Sequence, residues 1–221
     1  MGVMSQRETK AIQKRFKLSR YYLHSIREKF KQFVAYEITQ KGGTPRHSDH
    51  MAKAFAEFSQ WFSDFDESGK LWFCFMGGVG TGKTTLMKAM FEFIRAIQLT
   101  DHGEYASFAP FRAKFVTAVQ MAEYMRTDRQ KYNEIKNYQV LFIDDIGTEP
   151  TEIMDFGNIL TPFVDIINDR YNNNLCLVFT TNLDATAIRQ RYGERTADRM
   201  REFCKICVCD GESLRKQTKS V

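Results

Sequence analysis

Leu71-Trp72-Phe73-Cys74-Phe75-Met76-Gly77-Gly78-Val79-Gly80-Thr81-Gly82-Lys83-Thr84-Thr85-Leu86 is the stretch that decides the fold. Its first six residues are apolar without alternation, as in a strand covered on both faces of a parallel sheet. Gly77 to Thr84 then spell G-x-x-x-x-G-K-T. Gly77, Gly78, Gly80 and Gly82 let the backbone wrap closely, so the N–H groups of the loop, those of Val79 and Thr81 included, can point inward at phosphate. Lys83 can reach the β- and γ-phosphates, and the Thr84 hydroxyl can hold Mg²⁺. From Thr85 to Ile94 the apolar spacing becomes helical, and that helix aims its positive N-terminal end at the same anion. Strand, glycine loop and helix in this order distinguish a phosphate loop from a chance glycine turn.

Outward from this loop, apolar runs and helical patterns alternate, the mark of a parallel sheet covered by helices. Strands are predicted at about 71–76, 114–118, 139–144, 175–181 and 205–209, and helices at about 83–98, 119–126, 152–171, 184–192 and 194–202. The expected fold class is therefore α/β, a three-layer phosphate-loop domain with a five-stranded parallel sheet. Residues 101–110 read as a loop. Before the core, Phe16, Tyr22, Leu23, Ile26, Phe30, Phe33 and Val34 recur at mostly helical spacing within residues 5–39. Lys41-Gly42-Gly43-Thr44-Pro45 breaks that pattern, and Ser48 or Asp49 can cap a following helix that runs to about Phe62. This places a boundary near residue 45, with a basic helical segment over 1–45 and the nucleotide domain over 46–221.

Charge is distributed unevenly. Residues 1–50 hold 11 Lys/Arg against 4 Asp/Glu, whereas residues 51–221 hold 21 against 23. A basic segment of this kind suits nucleic acid, an acidic protein partner, or simply a solvated helix face. No run approaches the ~20 apolar residues of a membrane span, so no membrane partner is expected. The polar N-terminus carries no secretory pattern, and five cysteines without framework spacing suit a reducing, cytoplasmic setting.

Val140-Leu141-Phe142-Ile143-Asp144-Asp145 is an apolar strand ending in two acids. Asp144 is the candidate for holding Mg²⁺, with Thr84, and Asp145 for polarising water as a general base. A second buried strand, Leu175 to Thr181, ends at Asn182, which has a donor and an acceptor to orient that water, or which merely opens a helix cap. Arg195 and Arg199 stand four apart on one helix face, where either can fork onto phosphate oxygens of a neighbouring subunit or pair with Glu194 and Asp198.

Taken in order, G-G-V-G-T-G-K-T-T-L, F-I-D-D-I-G, F-T-T-N-L, Y-G-E-R-T-A-D-R-M and a late S-L-R resemble the AAA+ ATPases of the bacterial replicative-helicase loaders (the DnaC type) and the related IstB transposition ATPases, over roughly residues 55–217. The resemblance implies ATP with Mg²⁺ as cofactors. It implies that Thr85 continues the phosphate-binding set of Lys83 and Thr84, and that Asp144 and Asp145 form the acidic pair of the second motif. It makes Asn182 the first sensor, Arg199 the arginine finger with Arg195 as runner-up, and Arg215 the second sensor. Asp145 stands where many relatives carry Glu, one methylene longer, so slow hydrolysis is implied. Single-stranded DNA, a ring helicase (or, in the IstB reading, a transposase) and further copies of the chain are the implied partners.

Two clusters allow a duller reading beside a functional one. Cys204, Cys207 and Cys209 form C-x-x-C-x-C without a nearby fourth ligand, so buried apolar cysteines are expected over a zinc site. Lys114, Tyr124, Arg126, Arg129, Lys131, Tyr132, Lys136 and Tyr138 mix cations with rings, which suits a single strand or an ordinary amphipathic helix.

Overall fold

Apolar runs that cannot face water pair with one another, and here five of them make one parallel sheet. The structure, a computed structural model, describes residues 22–45, 49–63, 69–99 and 112–210. The strands are β1 (Trp72–Met76), β2 (Ala113–Thr117), β3 (Val140–Ile146), β6 (Cys176–Thr181) and β7 (Cys204–Val208), in the order β2-β3-β6-β1-β7. β1 sets Trp72 opposite Leu177 of β6 and Cys204 of β7, and β3 sets Val140 opposite Cys176. Because every strand runs the same way, the C-terminal tips of β1, β3 and β6 meet at one edge, where ligands of such sheets bind. β6 is buried along its whole length, as a strand covered on both faces must be.

Helix α3 (Lys83–Leu99) follows the glycine loop and packs Leu86, Met87, Met90 and Phe93 inward. Two helices precede the sheet, α1 (Tyr22–Gln40) and α2 (Asp49–Ser63). Phe30 of α1 is completely buried, 4.3 Å from Phe58 and 5.5 Å from Phe55 between ring centres. Phe58 in turn lies edge-on to Phe73 of β1 and Phe93 of α3. One aromatic cluster thus unites α1, α2, α3 and the sheet. Residues 5–21 of the helical segment expected over 5–39, and the loop at 101–110, lie outside the described residues.

After β2, Thr117 caps α4 (Ala118–Thr127) through a reciprocal pair with Gln120, and Asp128 separates it from α5 (Arg129–Lys136) by accepting from Lys131 N–H. The sequence pattern predicts α4 but not α5, because Asp128 serves as the end of one helix and the cap of the next. Completely buried Arg170 donates to the carbonyls of Tyr138 and Ile135 just beyond and within the last turn of α5, and burial pushes its guanidinium down to about 10.

The predicted helix over 152–171 requires correction. Its first part is a hairpin, β4 (Ile153–Asp155) with β5 (Asn158–Leu160), and the helix α6 is Pro162–Asn172. Phe156 and Gly157 both take positive φ, 47° and 84°, which makes the two-residue turn that twisted hairpins prefer. Pro162 then occupies the first turn of α6, where its missing N–H costs nothing. Met154, Phe156 and Ile159 of the hairpin are exposed, Phe156 fully. Beyond β6 come α7 (Ala185–Tyr192) and α8 (Glu194–Phe203). Among the described residues no helix is long and apolar enough to cross a membrane.

If α1 is integral to the core, Phe30→Ala should lower unfolding stability by about 3–5 kcal/mol, read from urea denaturation. A loss below about 1 kcal/mol would detach α1 from the cluster.

Candidate nucleotide site

The glycine loop is held from both sides. Gly77 N–H donates to Thr181 O (3.2 Å), and Cys209 N–H, just past β7, donates to Met76 O (2.7 Å). A Cβ on Gly77 would sit 2.3 Å from the backbone oxygen of Cys209, so only glycine lets the strands close at this point. Thr81 Oγ1 donates to Gly78 O (3.0 Å), and Val79 projects outward, 66% exposed, at the loop's crest. Thr84 and Thr85 open α3, and Lys41 of the turn after α1 donates to Thr85 Oγ1 (2.8 Å).

Lys83 folds back into the loop. Its Nζ donates to Gly77 O (2.8 Å), Gly78 O (2.6 Å) and Asn182 Oδ1 (2.7 Å). Burial pushes its ammonium below the ordinary lysine value, and neighbouring Cys209, Asp145 and Asp144 pull the other way. Asn182 passes the contact on, its Nδ2 donating to Asp145 Oδ1 (3.1 Å). Beside this chain runs a second one. Thr84 Oγ1 donates to Asp144 Oδ1 (3.0 Å), and Thr180 Oγ1 donates to the same oxygen (2.7 Å). Lys83, Thr84, Asp144, Asp145 and Asn182, which are scattered over 100 residues of sequence, thus form one connected cluster. Its hydroxyl and carboxylate oxygens are the hard donor set that Mg²⁺ takes, so Thr84 and Asp144 fit a site for that ion.

The site also uses residues that the sequence reading did not single out. A register shift between Ile143 and Ile146 lifts Asp144 and Asp145 out of the β3–β6 ladder, and Asp145 adopts φ 64°. Such bulges collect beside active sites. Buried Glu149 accepts from Gly147 N–H (2.8 Å) and from the Tyr192 hydroxyl, while Arg191 donates to Glu149 O. Burial, with the hydrogen bond to Glu149, drives the Tyr192 phenol up. A lone acid after a G-T turn gives no sequence signal of this role.

The two arginines of α8 have different surroundings. Arg195 is exposed. Arg199 is buried, hydrogen-bonded to Asn168 Oδ1, and lies 4.4 Å from the ring centre of Tyr171. Glu194 pairs with Arg189 (2.8 Å) and Asp198 with Arg201. Arg215 lies outside the described residues.

All five cysteines are free and buried, and no group of three metal-binding side chains occurs among the described residues. Of the cation-and-ring set, Tyr132 is buried and bonded to Asp165 (2.9 Å), and Lys136 pairs with that same acid (2.8 Å). Arg126 pairs with Glu123, Arg129 with Asp155, and Lys131 sits over the Tyr124 ring. Much of the set therefore holds α4, α5, α6 and the hairpin together.

The chain matches the family described as IstB-like ATP binding protein over residues 69–221. It is 32% identical over 108 residues to the chromosomal replication initiator protein DnaA of Enterococcus faecalis, a stretch that spans 49% of this chain and 22% of that protein. Its fold resembles the crystal structure of the DnaC helicase loader, with TM-score 0.55 and 23% identity over 74% of this chain and 92% of that one. The DnaI crystal structure gives TM-score 0.55 and 20% identity over 77% and 87%.

Gly77→Ala should part β7 from β1 at the loop. Thermal unfolding should reveal a loss of about 1–3 kcal/mol, and calorimetric titration with ATP should give markedly weaker binding. Wild-type stability and affinity would refute the close approach.

Proposed function

Because the chain belongs to the IstB-like ATP-binding proteins, we propose that it is an AAA+ ATPase that hydrolyses ATP slowly and, in DNA replication, helps load a replicative ring helicase onto single-stranded DNA. The observation that carries the ATPase reading is the connected cluster that joins Lys83, Asn182 and Asp145 on one side and Thr84 and Asp144 on the other. The loop amides of Gly77 to Thr85 and Lys83 would bind the phosphates. Thr84 and Asp144 would hold Mg²⁺, which supplies positive charge to the phosphate oxygens.

In the proposed reaction, Asn182 orients a water whose oxygen attacks the γ-phosphorus. The bond from γ-phosphorus to the β,γ-bridging oxygen breaks, and ADP leaves with its electrons. Asp145 takes the water's proton. The Asp145 carboxylate already accepts from Asn182, so the base and the orienting amide need little rearrangement. A carboxylate one methylene shorter than Glu stands further from the water, which supports slow turnover.

Assembly would place an arginine of one subunit at the phosphate of the next. Arg195 is exposed and can do this directly, whereas Arg199 must first leave Tyr171 and Asn168. We assign the finger to Arg195 in the resting geometry, with Arg199 as the residue that resemblance favours. Arg215 is retained as second sensor from resemblance alone. The names of the DnaC helicase loader and the DnaA replication initiator support replication and a helicase as context, and a DnaA structure bound to single-stranded DNA supports that ligand; the ring form of the helicase rests on the resemblance. The IstB-like family match supports the second reading, an ATPase helper of a DNA transposase. Residues 1–45 are proposed as a basic helical segment, whose α1 packs on the nucleotide domain, 46–221 as that domain, and the setting as cytoplasmic.

Lys83→Ala should abolish ATP binding in calorimetry, and Asp145→Asn should keep binding while phosphate release falls by about 10²-fold or more. Unchanged affinity in the first variant would overturn the site. With DNA present, Arg195→Ala and Arg199→Ala should each bind ATP normally, and the one that acts across subunits should lose stimulated hydrolysis by about 10³-fold. Wild-type stimulation in both would remove the finger role from α8. Copurification with a ring helicase, or instead with a transposase, decides between the two partner readings.

A further inference from the structure

We propose that Thr180 is a positioning residue for both acids of the site, a latch that holds Asp145 in its left-handed backbone and fixes Asp144 beneath it. This assignment rests on the ATP-hydrolysis reading above and deepens it.

The observation begins with the irregularity in β3. Pairing with β6 is regular through Ile143↔Phe179 and resumes at Ile146↔Thr181. Between these points Asp144 and Asp145 have no ladder partners in β6, and Asp145 has φ 64°. An aspartate can enter this region, but only where its surroundings hold it there. Its N–H group must also find an acceptor in the absence of a ladder carbonyl.

Thr180 supplies that acceptor. Its Oγ1 accepts from Asp145 N–H at 2.8 Å. The same hydroxyl has one proton, and it donates that proton to Asp144 Oδ1 at 2.7 Å. One oxygen therefore fixes the backbone of one acid and the carboxylate of the other. Thr180 is 1% exposed, and its branched Cβ restricts the rotor that aims the hydroxyl. The neighbouring Thr181 closes the other end of the irregularity, its Oγ1 donating to Ile146 O at 2.7 Å. Without Thr180, Asp145 N–H has every reason to seek a ladder carbonyl, which would rotate the Asp145 carboxylate away from Asn182. Asp144 would meanwhile lose the bond that holds its Oδ1 toward Thr84.

The test compares Thr180→Val, which keeps the shape and removes the hydroxyl, with Thr180→Ser, which keeps the hydroxyl. Thr180→Ala is a second hydroxyl-free variant should valine prevent folding. Amide hydrogen exchange of metal-free, nucleotide-free protein reads the latch directly. Asp145 N–H should exchange about tenfold faster or more in the hydroxyl-free variant, and nearly as in wild type with serine. Metal-free ATP affinity should stay within about twofold, because the loop and Lys83 are untouched. The turnover number should fall by about tenfold and the Mg²⁺ concentration for half-maximal rate should rise, with serine restoring both. Wild-type exchange, turnover and Mg²⁺ dependence in the hydroxyl-free variant would overturn the assignment alone, as would serine failing as fully as valine. A wild-type protein that releases no phosphate would overturn the ATPase reading and this assignment with it.

Discussion

A hydroxyl-to-carboxylate bond of 3.0 Å, Thr84 to Asp144, spans from the helix after β1 to the tip of β3. These strands are not neighbours, since β6 lies between them. The bond brings the C-terminal ends of β1 and β3 to the same edge across β6. Once it does, β6 must end in small polar side chains, because anything larger would fill the gap between loop and acids. Thr180, Thr181 and Asn182 meet that demand, and each places a polar atom on an element beside it. At buried Thr180 and Thr181 a low local dielectric strengthens a paired polar group and penalises a lone one.

The same edge is tied to the helices behind it. Glu149, four residues past Asp145, is buried and clasps Tyr192 and Arg191 at the end of α7. Gly193 then turns the chain into α8, which carries Arg195 and Arg199. The tip of β3 and the base of α8 are thus joined by hydrogen bonds rather than by loop contacts alone. A buried carboxylate bonded to a phenol and a backbone amide leaves little slack, because breaking one bond strands a charge in a poor solvent. Through this clasp a change at the acids has a short, stiff path to the helix proposed to face a neighbouring subunit.

The sheet and the phosphate loop were legible because their signals are local. Five buried apolar runs announce strands, and Gly77 to Thr84 announce their loop within eight residues. The acids were legible by the same logic, since Asp144-Asp145 at the end of such a run has few other uses. What escaped the sequence depends on position in space. The β4–β5 hairpin was hidden because Ile153, Met154, Ile159 and Leu160 also satisfy a helical spacing, and the decisive signals were single residues, Gly157 at the turn and Pro162 at the start of α6. Glu149 carries no motif, and F-T-T-N-L gives Thr180 no role of its own, as both roles exist only once β3 is irregular and α7 lies beside it. Arg199 and Tyr132 illustrate the opposite case. Charge and ring patterns suggested exposed binding groups, but tertiary packing turned both side chains inward.

The resting bonds of Lys83 bear on how a nucleotide would enter. Its ammonium spends its three protons on two loop carbonyls and Asn182, and burial already disfavours its charge. Neutral acceptors give net bonds of about 1 kcal/mol, whereas bonds to a charged acceptor are roughly twice as strong. A triphosphate would therefore win the exchange, and the lysine's charge would be better compensated afterwards than before. The exchange has a second effect. When Lys83 moves to phosphate, Asn182 Oδ1 loses its donor while Asn182 Nδ2 still holds Asp145. The freed amide oxygen, on the side chain that still holds the proposed base, would then be an acceptor to which an attacking water could donate. Binding of the substrate would itself complete the orienting group, so that the lysine keeps the water position disarmed until there is a phosphate to attack.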